Sequence, residues 1–360
     1  MNADAILKFR NALLSWFVTF HRKLPWRETN DPYSIWVSEV MLQQTQVKKV
    51  IDYYLRFIRK FPTVETLATA DQQTVLKLWE GLGYYSRARN LHRAAKVVFQ
   101  QFDGQIPQDY RAFRDLPGVG DYIAAAVMSQ SFDLPYPVVD GNVKRVISRI
   151  YAVETPINTT ATDKVIVQHM ATLLDPEQAG MFNQAVMELG AIICKPQGPF
   201  CKKCPVHQHC QAYRYDFVDK FPIVVAAKST PEYHISVGIV YRDDAFLIVR
   251  RPAKGLLGGM WEFPGGRMED NEKPAAACIR TIKLKTGLDV TITDHFSRVR
   301  HAYSHFKIVM EVHRCQYQSG EIKLAFHDDY RWIKPSELDT FPFHKAIHKF
   351  LPLLKDQILL

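Results

Sequence analysis

Apolar residues recur at helical spacing in five stretches of the first 212 residues: 5–20, 35–58, 72–101, 121–131 and 163–194. That period predicts an all-helical region. Proline and glycine punctuate the gaps, at Asp31-Pro32, Phe61-Pro62, Ile106-Pro107 and Leu116-Pro117-Gly118. Residues 213–232 carry neither helical periodicity nor a compact turn and read as a connector. From Tyr233 onward the period shortens. Stretches 234–241 and 246–250 flank an Asp243-Asp244 turn, which predicts a hairpin. Residues 274–286 predict one helix ended by Gly287, and 306–313 and 330–333 predict further strands. The expected fold is multidomain: an all-α region over 1–212, a connector over 213–232 and an α+β domain over 233–360.

Composition agrees with two or three globular domains, since 47% of the 360 residues are hydrophobic. No apolar run approaches the roughly 18–20 residues of a membrane span. Met1-Asn2-Ala3-Asp4 lacks the basic-then-apolar start of a signal peptide. The expectation is a soluble protein with no membrane association, of the bacterial cytoplasm or of a eukaryotic nucleus or organelle. The formal net charge of +9 is spread over both halves rather than held in a tail. Such a spread suits contact with a phosphate backbone. Many basic proteins bind no nucleic acid, so charge alone identifies no partner.

Four of the six cysteines fall close together, at Cys194, Cys201, Cys204 and Cys210, with spacing C-x6-C-x2-C-x5-C. Thiols this close in a cytosolic chain point to a metal rather than to disulfides. Zinc and a [4Fe–4S] cluster both accept four thiolates, and spacing does not separate them. Cys278 and Cys315 read as ordinary buried thiols.

Leu116-Pro117-Gly118-Val119-Gly120 precedes an apolar helical run, and Val139-Asp140-Gly141-Asn142-Val143 follows about 20 residues later. Gly118 and Gly120 permit a tight turn and let amides at the next helix N-terminus approach a phosphate. This pairing resembles the helix–hairpin–helix glycosylase superfamily, with the hairpin near 110–129 and the family's essential aspartate at Asp140. The resemblance narrows at Leu24-Pro25-Trp26-Arg27, at the run from Ile35 through Glu39 to Val47, and at Gly81-Leu82-Gly83-Tyr84-Tyr85. These match MutY-type adenine glycosylases over nearly all of 1–212. It also decides the cysteine loop, 194–210, in favour of one [4Fe–4S] cluster beside Lys195, Lys202 and Lys203. In this family the cluster shapes a basic loop near DNA and performs no base chemistry.

Glu39 lies among Ile35, Trp36, Val40, Met41 and Val47, so its pKa is expected to be raised, which suits a general acid. The resemblance implies that Glu39 protonates adenine at N7 and that ionised Asp140 stabilises the oxocarbenium-like sugar, electrostatically or by a transient covalent bond. It also implies that Tyr122 and Asn142 support the intermediate and orient the carboxylates. Bifunctional endonuclease III enzymes carry a lysine where Tyr122 stands, and that amine forms a Schiff base. A monofunctional enzyme is therefore expected. The target base must leave the stack. By the same resemblance Gln44 and Thr45 lie at the lesion strand and Tyr84 wedges beside 8-oxoguanine. Arg27, Gln184, Trp26 and Leu24 surround the flipped adenine.

Trp261-Glu262-Phe263-Pro264-Gly265-Gly266 and the following helix resemble a Nudix domain. Gly266, Glu272, Arg280 and Gly287 fit the box G-x5-E-x7-R-E-x2-E-E-x-G, but Thr281, Leu284 and Lys285 replace its metal-binding glutamates. Diphosphate hydrolysis needs those carboxylates to hold cations, so that activity is excluded. Tyr303-Ser304-His305 matches the Phe-Ser-His lesion-reading loop of MutY enzymes, with Ser304 as the candidate hydrogen-bonding group. The expected partner is double-stranded DNA with A:8-oxoguanine or A:G mispairs, bound by a monomer. An endonuclease III-type pyrimidine glycosylase with lyase activity and a catalytically silent damage-binding protein are the competing readings.

Overall fold

The computed structural model describes residues 1–225 and 230–356, so residues 226–229 of the expected connector lie outside the described residues. The chain forms two compact units. One comprises residues 1–69 and 93–227, the other 70–92 and 228–360. Among the described residues no helix is long and apolar enough to cross a membrane.

The helical part runs α1 (Ala3–Phe20), α2 (Pro32–Leu42), α3 (Val47–Lys60), α4 (Val64–Ala68), α5 (Gln72–Trp79), α6 (Ser86–Gln101), α7 (Tyr110–Arg114), α8 (Asp121–Phe132), α9 (Gly141–Tyr151), α10 (Thr160–Leu173), α11 (Ala179–Ile192) and α12 (Gln211–Arg214). Three of the expected stretches are each divided in two. The run 35–58 breaks between α2 and α3, where Gln44 takes a left-handed φ of 54°. The run 72–101 breaks at the Gly81–Tyr85 turn. The run 163–194 breaks at Asp175-Pro176, since a residue before proline disfavours the helical region. Helix α9 was not among the expected stretches, although Val143, Val146, Ile147 and Ile150 follow helical spacing and are buried.

Local chemistry explains the helix starts. Asp31 accepts from the amide of Ser34 at 2.9 Å with Pro32 at the first helical position, and Asp140 accepts from the amide of Val143 at 2.7 Å. Helix α2 has no polar face: every residue from Tyr33 to Met41 is buried. It packs on α3 and α8. Phe9, Leu13, Ile147, Met170, Phe182 and Leu189 form the core joining α1, α9, α10 and α11.

The second unit holds a seven-stranded sheet: β1 (Glu232–Arg242), β2 (Ala245–Arg250), β3 (Trp261–Glu262), β4 (Gly265–Arg267), β5 (Asp289–Ala302), β6 (Lys307–Ser319) and β7 (Asp329–Ile333). The main order is β3-β2-β1-β6-β5, with β4 on β1 and β7 on β2. Strands β1 and β6 run parallel, Val237 beside Val312. Alternate residues feed opposite faces. Ile239, Phe246 and Ile248 join Phe263, Phe343 and Phe350 on one side, while Val240, Leu247 and Val249 meet Cys278 and Ile282 on the other. Cys278 and Cys315 are buried free thiols, as expected. Helix α13 (Pro274–Thr286) covers this second face and ends at Gly287, as its sequence predicts; a short C-terminal helix, α14 (Leu351–Asp356), lies on the first. Strand β5 was not expected. Its register against β6 shifts at three places, which breaks the two-residue alternation that marks a strand.

Candidate active site

Glu39 projects from α2 with only 3% of its surface exposed. Its Oε2 accepts a hydrogen bond from the Tyr122 hydroxyl of α8 at 2.5 Å, and its Oε1 accepts from Gln130 Nε2 at 3.0 Å. Burial pushes its pKa up; the bonds from Tyr122 and Gln130 oppose that, the negative charge of Asp140 adds to it, and the Arg27 cation opposes it. A carboxyl placed this way resists ionising, and its two donors fix its orientation.

Asp140 caps α9. Both of its oxygens accept: Oδ1 from the Val143 amide at 2.7 Å and Oδ2 from Asn142 Nδ2 at 2.9 Å. Burial raises its pKa as well, while those hydrogen bonds and the Arg145 guanidinium pull it down. The positive end of a helix favours an anion at this position. The two carboxyls thus differ in kind: Glu39 sits in an apolar helix, and Asp140 sits at a helix terminus ringed by donors.

Beneath Asp140 the packing is tight. Arg145 Nη2 donates to Asn142 Oδ1 at 2.9 Å and to the Gly190 carbonyl at 2.7 Å, and its Nε donates to the Cys194 carbonyl at 2.8 Å. Gly190 of α11 has no room for a side chain, since a Cβ there would lie 2.6 Å from Asn142 Cβ. Asn183 accepts from the Val138 amide and donates to the Tyr136 carbonyl, which pins the segment leading into Asp140.

Leu24 and Trp26 are buried; Arg27 and Gln184 are half-buried. Trp26 packs edge-on against Tyr54, with ring centroids 5.4 Å apart. Arg27 Nη2 reaches the buried carboxylate of Glu188 at 2.9 Å. Gln44 is exposed beyond the end of α2, and Thr45 follows with its amide on the Leu42 carbonyl. Gly118 turns the chain with φ +78°, a conformation costly for any other L-residue, and Gly120 precedes α8 with no side-chain cap on that helix.

The cysteine loop lies in the same unit. Cys194, Cys201, Cys204 and Cys210 are free thiols that line one small cavity with Arg149 and Leu189. Arg149 Nη1 donates to Cys194 Sγ at 3.3 Å. Burial, with a smaller contribution from the neighbouring thiols, pushes the Cys204 thiol up to about 12. Among the described residues no three His, Cys, Asp or Glu side chains close on a single-ion site. Four thiols lining one cavity are a donor set that a metal centre accepts.

In the second unit, Tyr303, Ser304 and His305 form the turn between β5 and β6, with the Tyr303 amide on the Phe306 carbonyl at 2.8 Å. The Tyr303 ring stacks on Phe306, and Ser304 and His305 are exposed. Tyr84, with φ 48°, bonds through its hydroxyl to Ser304 Oγ. These two residues, singled out separately in the sequence, touch each other here. Lys285, in place of a Nudix glutamate, is half-buried near Glu262, whose carboxylate bonds Arg251 and His327.

Sequence reasoning missed Gln130, Arg145, Glu188 and Gly190. The available signal was weak: Gln130 lies between Ser129 and Ser131, and Glu188 shares its helix with Asn183 and Gln184, so neither stands out from its polar neighbours.

The chain matches two family models: HhH-GPD superfamily base excision DNA repair protein over residues 37–171 and NUDIX domain over 236–353. It is 34% identical to a mouse adenine DNA glycosylase, over 98% of this chain and 78% of that protein. Human adenine DNA glycosylase is 32% identical over 98% and 75%, and the enzyme of Buchnera aphidicola from Acyrthosiphon pisum 30% over 97% and 98%. Among solved structures, a thermostable thymine-DNA glycosylase aligns with TM-score 0.54 at 32% identity, covering 59% of this chain and 98% of its own. An endonuclease III trapped covalently on DNA aligns with TM-score 0.51 at 20% identity over 60% and 99%, a likeness of fold. With its helix–hairpin–helix repair region followed by a Nudix-like domain, the chain belongs to the adenine DNA glycosylase family.

Proposed function

We propose that this protein is a monofunctional glycosylase that hydrolyses the N-glycosidic bond of adenine mispaired with 8-oxoguanine or guanine in duplex DNA. The observation that carries this reading is the pairing of a buried, donor-held Glu39 with a helix-capping Asp140, in a chain whose relatives match across both parts. Glu39 delivers a proton to adenine N7, which makes the base a competent leaving group. Asp140 stabilises the positive charge that develops on the sugar, and water completes the hydrolysis. Tyr122 and Asn142 hold the two carboxyls in place. Arg27, Trp26, Leu24 and Gln184 surround the flipped adenine; Gln44 and Thr45 meet the lesion strand. Gly118 and Gly120 bring backbone amides to a phosphate.

Residues 1–212 form the glycosylase part of this reading, 213–232 its connector and 233–360 the lesion-reading part. There Tyr84 wedges beside 8-oxoguanine and Tyr303, Ser304 and His305 read its altered edge. Cys194, Cys201, Cys204 and Cys210 hold a [4Fe–4S] cluster, which supplies shape to the Lys195, Lys202 and Lys203 loop rather than base chemistry. The implied setting is a monomer in the bacterial cytoplasm, associated with the nucleoid through DNA. The test is incubation with duplexes carrying A:8-oxoguanine, A:G, G:T and oxidised pyrimidines, each with and without alkali. Adenine release with strand cleavage only after alkali is the expected outcome. Cleavage without alkali, a lysine-dependent borohydride adduct, or thymine release would sink it. Ser304→Ala with His305→Ala should narrow the preference for A:8-oxoguanine over A:G; an unchanged ratio removes that loop's role.

A further inference from the structure

Glu188 lies on α11, and its side chain is fully buried. Its Oε1 accepts from the Arg22 amide at 2.9 Å and from Arg22 Nε at 2.7 Å; its Oε2 accepts from Arg22 Nη2 at 2.7 Å and Arg27 Nη2 at 2.9 Å. Arg27 is held on further sides. Its Nη1 donates to the Arg22 carbonyl at 3.1 Å, and its guanidinium lies 5.4 Å from the centre of the Phe17 ring. Only 11% of the Arg27 side chain is exposed. This is a built clamp: one anion fixes two cations, and one of those cations belongs to the proposed adenine pocket.

We infer that Glu188 is a positioning residue for the glycosylase reaction: it holds Arg27 at the base pocket and balances its charge, so that buried Glu39 keeps its proton. The inference rests on the reading of Glu39 as the general acid. The charged and titratable groups that act on Glu39 come from each element around it: Tyr122 on α8, Asp140 capping α9, and Arg27 from the segment following Leu24, with the neutral amide of Gln130 as a fourth partner. Arg27 is the cation in this set, and a cation near a buried carboxyl favours its ionised form. Glu188 offsets that field at its source. Its own carboxyl, despite burial, is brought down to about 2 by Arg22 and Arg27, so it remains an anion across the working range. Without it, Arg27 stands in a low-dielectric surround with no counter-charge, and both its aim and its effect on Glu39 change.

The experiment is single-turnover adenine release from an A:8-oxoguanine duplex by the full-length protein, from roughly pH 5 to pH 9. The variants are Glu188→Gln, Glu188→Asp, Arg27→Met and Arg27→Met with Glu188→Gln. Glu188→Gln should move the alkaline limb down by about one pH unit, a loss of about ten-fold above the limb that recovers as pH falls. Glu188→Asp should keep most of the wild-type profile. In the Arg27→Met background, Glu188→Gln should no longer move the limb. An unmoved limb in Glu188→Gln, or an equal shift in the Arg27→Met background, overturns the inference. If Glu188→Gln fails to fold by thermal melt, Arg27→Met alone decides: the limb must move up, and a limb that stays or falls overturns the inference. Glu39→Gln separates the two readings. Release at the wild-type rate by that variant defeats the general-acid assignment itself, whatever Glu188 does.

Discussion

The Tyr122 hydroxyl is the nearest donor to Glu39, and it works against burial by favouring the carboxylate. Tyr122→Phe removes that bond, so the Glu39 pKa should rise further and the alkaline limb of the rate profile should move up. Below the limb, where Glu39 is protonated, the rate should fall by up to about ten-fold, since a hydrogen bond to a neutral group contributes about 0.5–1.5 kcal/mol and this one also aims the carboxyl. Single-turnover kinetics across pH checks both parts; a limb that moves down would contradict the bond. The candidate catalytic groups Glu39, Asp140, Tyr122 and Asn142 were legible in the sequence because each sits inside a run of matching neighbours. Gln130, Arg145 and Glu188 were not. Each acts by reaching across to a distant segment, 91 residues away in sequence for Gln130 and 166 for the Glu188–Arg22 pair, and no local pattern encodes such a meeting.

Helix α9 carries Asp140 at its start, and α11 presses on it through Gly190. Gly190→Ala places a methyl 2.6 Å from Asn142 Cβ and 3.1 Å from the Asn142 carbonyl oxygen. Backbone on one side leaves little slack, so α9 must shift. The expected outcome is a stability loss of about 1–3 kcal/mol by urea denaturation. A larger proportional fall in glycosylase rate should accompany it at temperatures where the variant remains folded. A wild-type rate in the folded variant would show that Asp140 tolerates the shift. Element boundaries were the least legible part of the fold. The break after α2 and the break at Gly81–Tyr85 interrupt apolar runs that continue with the same spacing on both sides, so periodicity carried across them. Strand β5 failed for the opposite reason: its bulges and exposed polar residues erase the alternation, and pairing with β6 alone makes it a strand. Helix α13, with proline at its first turn and glycine at its end, was legible throughout.

At the scale of the whole molecule, the +9 charge predicts that DNA affinity falls steeply with salt. A titration by fluorescence anisotropy at several ionic strengths should give a linear log–log loss; a flat response would exclude phosphate contacts as the main source of affinity. The sheet unit has a different sensitivity. His344 is 6% exposed, and burial lowers its pKa to about 4 from an ordinary 6.5. The unfolded chain therefore binds a proton that the folded unit refuses between those values. Stability is fully present above about pH 6.5 and should decline as pH falls toward 4, by an upper bound of about 3 kcal/mol for this group. Thermal melts of the protein and of His344→Gln check it, the variant showing a shallower decline over the same window.

The sheet unit is also discontinuous in sequence, since residues 70–92 belong to it. Gln73 accepts from the Trp261 indole at 2.9 Å, Lys77 donates to the Phe341 carbonyl at 3.0 Å, and Glu80 accepts from the Phe343 amide at 2.7 Å. For the gene, this means that a premature stop after the connector is not a clean deletion. The shortened product would keep a helix whose partners were never translated, with Leu76 beside the missing Gly259. Loss of the C-terminal half is thus also an injury to the half that remains, and truncations of such a chain would read as folding defects before they read as lost discrimination.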